Sequence, residues 1–297
     1  MPSTHQKPFL VVPENRKRWR MRRPRKKTKA GGLLKTIANR AGKAVEQFDL
    51  IEKDDRILIG LSGGKDSWTL LEVCLHLQET APIDFEIAAI HLDLGNSNKA
   101  DTKCSLCNVG FSETKQYLEG LGAKTYFLQT DIEPRVKKMN RDHSSSPCFL
   151  CARFRRGILY RTATDLGYNK IALGHHADDL IETLLMNQFF SGQLKSMPPK
   201  LFADDGKNIV IRPLCTVFET QTRQYVSLRN IPIIKSMCGH CEWTELPRRE
   251  WIKQWLSEME SKAPGLKGYL LASLSHVRPS HLMDTKFFDF VKGFEKQ

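Results

Sequence analysis

From residue 56 to residue 190 the sequence alternates short apolar runs with longer stretches of helical period. "RILIGLS" (56–62) reads as a buried strand and "DSWTLLEVCLHLQE" as the helix that follows it. "FEIAAIHLD" (85–93) is a second strand, "SETKQYLEGLG" a helix stopped at Gly122, and "KTYFLQ" a third strand. The helix "FLCARFRRGILYRTATDLG" ends at Gly167 and leads to the strand "KIALG" (170–174), and "ADDLIETLLMNQFF" is helical again. Strands and helices exchanged at this pace predict an α/β fold, a parallel sheet with helices on both faces. Ahead of the first strand, "GGLLKTIANRAGKAVEQFDLI" spaces Leu33, Leu34, Ile37, Ala41, Val45 and Phe48 as one face of a helix. Beyond Pro198 the pattern changes. "KLFADDGKNIVIRPL" predicts a hairpin turning at Asp205–Gly206, and "TRQYVSLRNI" and "RREWIKQWLSEME" read as helices. The expected organisation is an arm over 1–31, a catalytic domain over 32–240 and a helical extension over 241–297.

Charge is concentrated in one place. "RKRWRMRRPRKKTK" (16–29) holds ten Lys or Arg and no acid, so all but three of the formal net charge of +13 resides there. Such a block repels itself and carries Pro24, so it is expected to lack structure when free. Its use would be phosphate-backbone attraction, with Trp19 available to stack on a base. No apolar run approaches the roughly 20 residues that a bilayer crossing needs, and "FLVV" near the start has no cleavage-site pattern after it. The expected place is the cytoplasm, away from membranes. Eight cysteines in such a chain argue for metal or redox chemistry rather than a disulfide framework. Six form C-x-x-C pairs: Cys104/Cys107, Cys148/Cys151 and Cys238/Cys241. Cys74, in an apolar helical stretch, is expected to be a small buried residue, and Cys215 stands alone.

"LSGGKDS" (61–67) carries the first chemistry. A strand that ends in Ser-Gly-Gly and runs into a helix points backbone N–H groups outward at the positive end of that helix. Gly63 and Gly64 allow an anion close to the backbone, Lys65 adds charge, and Ser62 and Ser67 offer hydroxyl donors. That is a phosphate cradle, but neither a Walker A loop nor a dinucleotide fingerprint. "LGHHADDLIET" passes from a second strand end at Gly174 into a helix, placing His175, His176, Asp178 and Asp179 at the same edge of the sheet. Carboxylates beside a phosphate site suit Mg²⁺ coordination or proton handling. They also suit the first turn of a helix for purely structural reasons.

The string S-G-G-K-D-S resembles the loop of the PP-loop ATP pyrophosphatase family, and "GHHADDLIET" resembles the signature of its tRNA-modifying branch. The block from Cys148 to Leu201, with "IRPL", "IPII" and "PSHLMDTKFFDF", is similar to the tRNA 2-thiocytidine biosynthesis family. The similarity runs from about Leu33 to Phe290 and leaves out the basic arm. The resemblance implies a Rossmann-like fold and an ATP-dependent tRNA thiolase, with ATP, Mg²⁺ and a 4Fe–4S cluster as cofactors. It further implies a tRNA partner, a cysteine desulfurase or other sulfide donor, and a homodimer. Ser62, Gly63, Gly64, Lys65, Asp66, Ser67, Gly174, His175 and Asp178 would bind ATP, with Asp66 on Mg²⁺ and His91 and Leu92 flanking the adenine. Asp179, Lys65 and Arg155 would be catalytic. Cys148, Cys151 and Cys238 would hold the cluster, with Cys241 the alternative to Cys238 and Cys215 the outsider.

The chain departs from that pattern at "DTKCSLCNVG", where Cys104 and Cys107 add a further pair. With Cys241 left over, a second metal, a zinc site shared with Cys238/Cys241 and a persulfide-carrying pair all remain open. Rival functions are thiolation of a uridine by a related enzyme and a metal-stabilised RNA-binding module without catalysis. The loop residues 62–67 are all in place, which favours catalysis.

Overall fold

The computed structural model describes residues 9–12, 23–94, 110–139, 147–203, 206–233, 248–292 and 294–295. It divides into two compact units, Met1–Ala177 with Pro198–Thr244, and Asp178–Met197 with Glu245–Gln297.

The first unit is built on a seven-stranded sheet in the order β1-β4-β3-β2-β5-β7-β6. Its strands are β1 (Phe9–Val12), β2 (Arg56–Gly60), β3 (Glu86–Asp93), β4 (Thr125–Gln129), β5 (Lys170–Ala172), β6 (Lys200–Phe202) and β7 (Ile209–Ile211). The inner strands β4, β3, β2, β5 and β7 run parallel, and the two edges, β1 on β4 and β6 on β7, are antiparallel. The expected parallel sheet is therefore present, with the predicted hairpin supplying one antiparallel edge. The other edge was not foreseen: "FLVV" lies within the arm expected to lack structure, yet pairs with β4. The arm's described end is also tied down. Arg23 Nη1 donates to Glu79 at 2.8 Å, and Thr28 Oγ1 accepts from Gly31 N at 3.1 Å to cap the helix that follows.

Period-two alternation splits the strand side chains between two cores, as pleating requires. Ile57 and Ile59 of β2 and Ile87 and Ala89 of β3 pack with α1 (Lys29–Gln47), α2 (Lys65–Thr80), α3 (Gly110–Leu121) and α7 (Glu219–Arg229). Leu58, Ala88 and Ile90 point to the other face, against Leu159 and Ala163 of α5 (Pro147–Asp165). A short α4 (Ile132–Met139) packs on the start of α5 through Ile132 and Val136. Cys74 is buried in α2 as expected.

One charge lies inside the first core. Glu72 of α2 has no exposed surface and accepts from Tyr225 Oη at 2.6 Å, Arg229 Nε at 3.2 Å and the Tyr117 hydroxyl. Breaking a buried pair by removing one partner leaves an uncompensated charge, which costs about 3–5 kcal/mol. Glu72→Ala is expected to lose stability on that scale, because it strands Arg229 and two hydroxyls together. Urea unfolding of the variant would measure it, and a loss within the range of an ordinary surface substitution would show the network to be unimportant.

The second unit contains most of α6 (Ala177–Ser191), α8 (Arg248–Lys262), α9 (Leu266–Ser273), a 3₁₀ turn (Pro279–His281) and the strand pair β8 (Phe288–Asp289) with β9 (Phe294–Glu295). Phe189 of α6 stacks edge-on against Trp251 and Trp255 of α8. This unit joins 178–197 to 245–297, a grouping different from the expected extension over 241–297. Among the described residues no helix is long and apolar enough to cross a membrane.

Candidate active site

The chain runs from β2 outward through β3 to β4, then returns to place β5 on the other side of β2. The crevice beyond the carboxyl ends of β2 and β5 is therefore the switch point of the sheet, where ligands bind in open α/β folds. Both motifs of the first unit lie there. Leu61 N donates to Ile90 O at 2.9 Å, ending β2, and residues 62–64 turn into α2. Gly63 has φ 83°, a left-handed conformation that only glycine adopts freely.

Gly64 is the N-cap of α2 and makes no side-chain cap. Ser62 Oγ accepts from Gly64 N at 3.3 Å, while Ser67 Oγ donates to Gly64 O at 2.9 Å, so the loop is braced on itself. The first turn of α2 supplies outward N–H groups and the positive helix end.

From β5 the chain passes through Gly174 into His175 and His176. A Cβ on Gly174 would lie 2.9 Å from the backbone carbon of Asp66 and 3.0 Å from Ser67 N. The loop after β5 thus lies directly on the start of α2, and only a residue without a side chain fits between them. Gly174→Ala is expected to push the two apart and lower kcat/KM for ATP about tenfold or more, since misplacements of this size carry large rate costs. Steady-state ATP kinetics would check it, and an unchanged kcat/KM would mean that the contact does not shape the site.

The charged groups interlock. Lys65 Nζ lies 2.8 Å from Asp66 Oδ2 and 2.9 Å from Glu219 Oε1. Burial works against the ammonium, but the hydrogen bonds and attraction of Asp66 and Glu219 outweigh it, so the Lys65 pKa lies above the ordinary lysine value. Asp66 Oδ1 lies 2.7 Å from Thr222 Oγ1 and 3.6 Å from His176 Nε2. Asp66, in the first turn of α2, is the carboxylate that would hold Mg²⁺, an ion that keeps most of its shell for water and phosphate oxygens.

His91 is buried at the end of β3, with Nδ1 2.9 Å from the Leu61 carbonyl. A carbonyl only accepts, so Nδ1 carries the proton and Nε2 is left as acceptor. Burial holds the His91 pKa below the ordinary histidine value; the hydrogen bond to Leu61 opposes this, and nearby Arg155 reinforces it. Leu92 follows, half-buried. Arg212, in the "IRPL" segment after β7, donates from Nε to His175 Nδ1 at 3.2 Å and from Nη1 to Pro198 O at 2.6 Å. With Nδ1 accepting, His175 presents Nε2–H.

The structure therefore gathers Ser62, Gly63, Gly64, Lys65, Asp66, Ser67, Gly174 and His175 at the carboxyl ends of β2 and β5, with His91 at the end of β3. Asp178 and Asp179 belong to the second unit. There Asp178 is buried and paired with Lys267 Nζ at 2.8 Å, and Asp179 is ion-paired with Arg249, which also donates to Glu182 at 2.8 Å. His176 belongs to the constellation read from the sequence, whereas Glu219, Thr222 and Arg212 were not among the expected site residues. The available signal was the Glu-x-x-Thr spacing just after "IRPL", which puts both side chains on one face of the first turn of a helix.

Of the cysteines, Cys151 lies half-buried in the first turns of α5, beside Ile132, Val136, Leu150 and Phe154. Cys148 is on the preceding turn, its side chain outside the described residues, as are Cys104, Cys107, Cys238 and Cys241. Cys215 is buried, and burial pushes its thiol up to about 11. Among the described residues no three His, Cys, Asp or Glu side chains gather as a metal site.

Residues 33–237 match the PP-loop domain family. The chain is 43% identical over 260 residues to a tRNA-cytidine(32) 2-sulfurtransferase from Burkholderia vietnamiensis, covering 87% of this chain and 73% of that one. It is 41% identical over 276 residues to a protein of the same name from a Marinomonas species, covering 92% and 93%. Its backbone is similar to that of the U34-tRNA thiolase NcsA from Methanococcus maripaludis, solved with its 4Fe–4S cluster. That match has a TM-score of 0.62 and 20% identity over 83% of this chain and 80% of the other, a likeness of fold. A cradle at the switch point, a glycine contact that joins its two loops, and identity above 40% along most of the length lead to one assignment: the chain belongs to the PP-loop family, within the group of the tRNA-cytidine(32) 2-sulfurtransferases.

Proposed function

We propose that this protein is an ATP-dependent tRNA thiolase that converts cytidine 32 of tRNA to 2-thiocytidine. The observation that carries the reading is the cradle itself: residues 62–67 at the end of β2, pressed by Gly174 against the loop after β5. The names of the relatives that span nearly the whole chain supply the substrate base.

ATP sits with its phosphates over the N-terminus of α2. Backbone N–H groups of the loop, the Ser62 and Ser67 hydroxyls and Lys65 neutralise the charge that builds on the departing pyrophosphate. Asp66 would hold Mg²⁺, and His91 with Leu92 would border the adenine. The cytidine O2 attacks the α-phosphorus and the bond to pyrophosphate breaks, giving an O-adenylated base. Sulfide then adds at C2 and AMP departs with the original oxygen, restoring the ring. The carbonyl oxygen is a poor leaving group until it is esterified, so adenylation must come first. Arg155 of α5 is assigned to the phosphate or the adenylate, and Asp179 to proton handling.

Cys148 and Cys151, three residues apart in α5, would hold a 4Fe–4S cluster together with Cys238 or Cys241. When bound, the cluster would supply an iron site for the incoming sulfur. The apolar surroundings of Cys151 fit a cluster kept from water. The reading extends to a cysteine desulfurase or other sulfide donor, a homodimer and the cytoplasm. The basic stretch 16–29 would draw in the tRNA backbone, positioning it without specifying sequence.

The test combines ATP, Mg²⁺, sulfide and unmodified tRNA with protein reconstituted anaerobically with iron, followed by digestion and mass spectrometry of nucleosides. 2-Thiocytidine is expected. Thiouridine would move the protein to a sister group, and AMP without any thionucleoside would mean that the acceptor is not a tRNA base.

A further inference from the structure

The loop that carries Lys65 does not hold that side chain by itself. Lysine has a flexible four-carbon stem, and its ammonium becomes a fixed charge only where acceptors pin it. Asp66, next in sequence, supplies one. The other, Glu219, comes from the first turn of α7, more than 150 residues away. Glu219 is buried, and its Oε1 accepts from Lys65 Nζ at 2.9 Å and from Arg223 Nη2 at 3.1 Å. One turn on, Thr222 is fully buried. Its hydroxyl oxygen lies 2.7 Å from Asp66 Oδ1 and 3.0 Å from the Glu219 carbonyl. A hydroxyl has one proton to give, and a charged acceptor makes the stronger bond, so it goes to the carboxylate. Asp66 thereby has one oxygen on Lys65 and the other on Thr222.

We propose that Glu219 and Thr222 are positioning residues for the adenylation step, Glu219 fixing the Lys65 ammonium and Thr222 fixing the Asp66 carboxylate, so that α7 sets the geometry of the phosphate loop. Both touch the loop's charged groups rather than the reacting atoms. The role rests on ATP being the ligand of that loop.

Nucleotide binding reads this directly. The probe is α,β-methylene ATP with Mg²⁺, titrated calorimetrically into the full chain. Coupled groups in contact show non-additive effects, whereas independent ones add. Glu219→Gln is expected to weaken binding about fivefold in the parent and less than about twofold in Lys65→Met, where the ammonium is already gone. Thr222→Val is expected to do the same through Asp66, with the loss absent in Asp66→Asn and restored by Thr222→Ser. The serine rescue keeps the test standing if Glu219→Gln proves unable to fold.

Equal losses in both backgrounds would mark a general structural role and overturn the proposal. So would unchanged binding. Tighter binding in Glu219→Gln would also overturn it, because Glu219 would then be competing with phosphate for Lys65. A protein that showed the couplings and thiolated no RNA would leave the proposal intact while sinking the thiolation reading.

Discussion

Lys65→Met lowers ATP–pyrophosphate exchange by about 10²–10³-fold, the usual cost of removing one preorganised group from a site of developing charge. Exchange of labelled pyrophosphate into ATP, with unmodified tRNA present, reports the reversible first half-reaction and excludes the sulfur chemistry. The loss falls mainly on the rate, because the charge on the departing pyrophosphate grows as the α-phosphorus bond breaks. Binding falls less, since the loop N–H groups, the helix end and Mg²⁺ still hold the nucleotide. The fold survives: Lys65 is partly solvent-facing, and its two carboxylate partners keep Thr222 and Arg223. Affinity for tRNA is unchanged, as no RNA contact is assigned to this side chain. Exchange within tenfold of the parent would refute the catalytic assignment of the loop, whatever happened to thiolation.

The parts of this site that were legible in the sequence are those whose geometry is local. A strand, two glycines and a helix N-terminus lie within a dozen residues, and backbone rules alone turn "ILIGLSGGKDS" into a phosphate cradle. Gly174 could be placed at a strand end for the same reason. That its missing side chain makes room for Asp66 could not, because the contact depends on β5 settling beside β2. Glu219 and Thr222 were missed for a related reason. The Glu-x-x-Thr spacing of "FETQTRQY" gives the two residues one helix face but no target; they matter only because α7 packs on α1 and α2 through Tyr225 and Val226. Glu72 was hidden inside an apolar helical pattern, and only the meeting of three helices reveals that Tyr117, Tyr225 and Arg229 satisfy it. The arm misled in the other direction. The apolar "FLVV" ahead of its basic block needed only an open sheet edge, and the edge of β4 supplied it.

Cys151→Ser, and likewise Cys148→Ser, abolishes thiolation and the iron–thiolate absorption of reconstituted protein while leaving pyrophosphate exchange within a few-fold of the parent. The reason is ligand chemistry. An iron–sulfur cluster needs thiolates, and the serine hydroxyl is a hard donor that stays protonated. Cys151 is half-buried beside Leu94, Ile132, Val136 and Phe154, apolar neighbours that offer no replacement ligand. Cys215→Ser and Cys74→Ser provide the contrast. Both side chains are buried, Cys74 inside α2 and Cys215 after β7, and burial pushes their thiols up to about 12 and about 11, so neither is open to take up a cluster. Iron content and absorption should therefore survive in both. The three measurements together separate the two halves of the reaction. A Cys151→Ser protein that kept its iron spectrum would remove the pair from the cluster. One that lost exchange as well as thiolation would place the pair in the ATP half, and the division of labour between the β2 loop and the start of α5 would have to be redrawn.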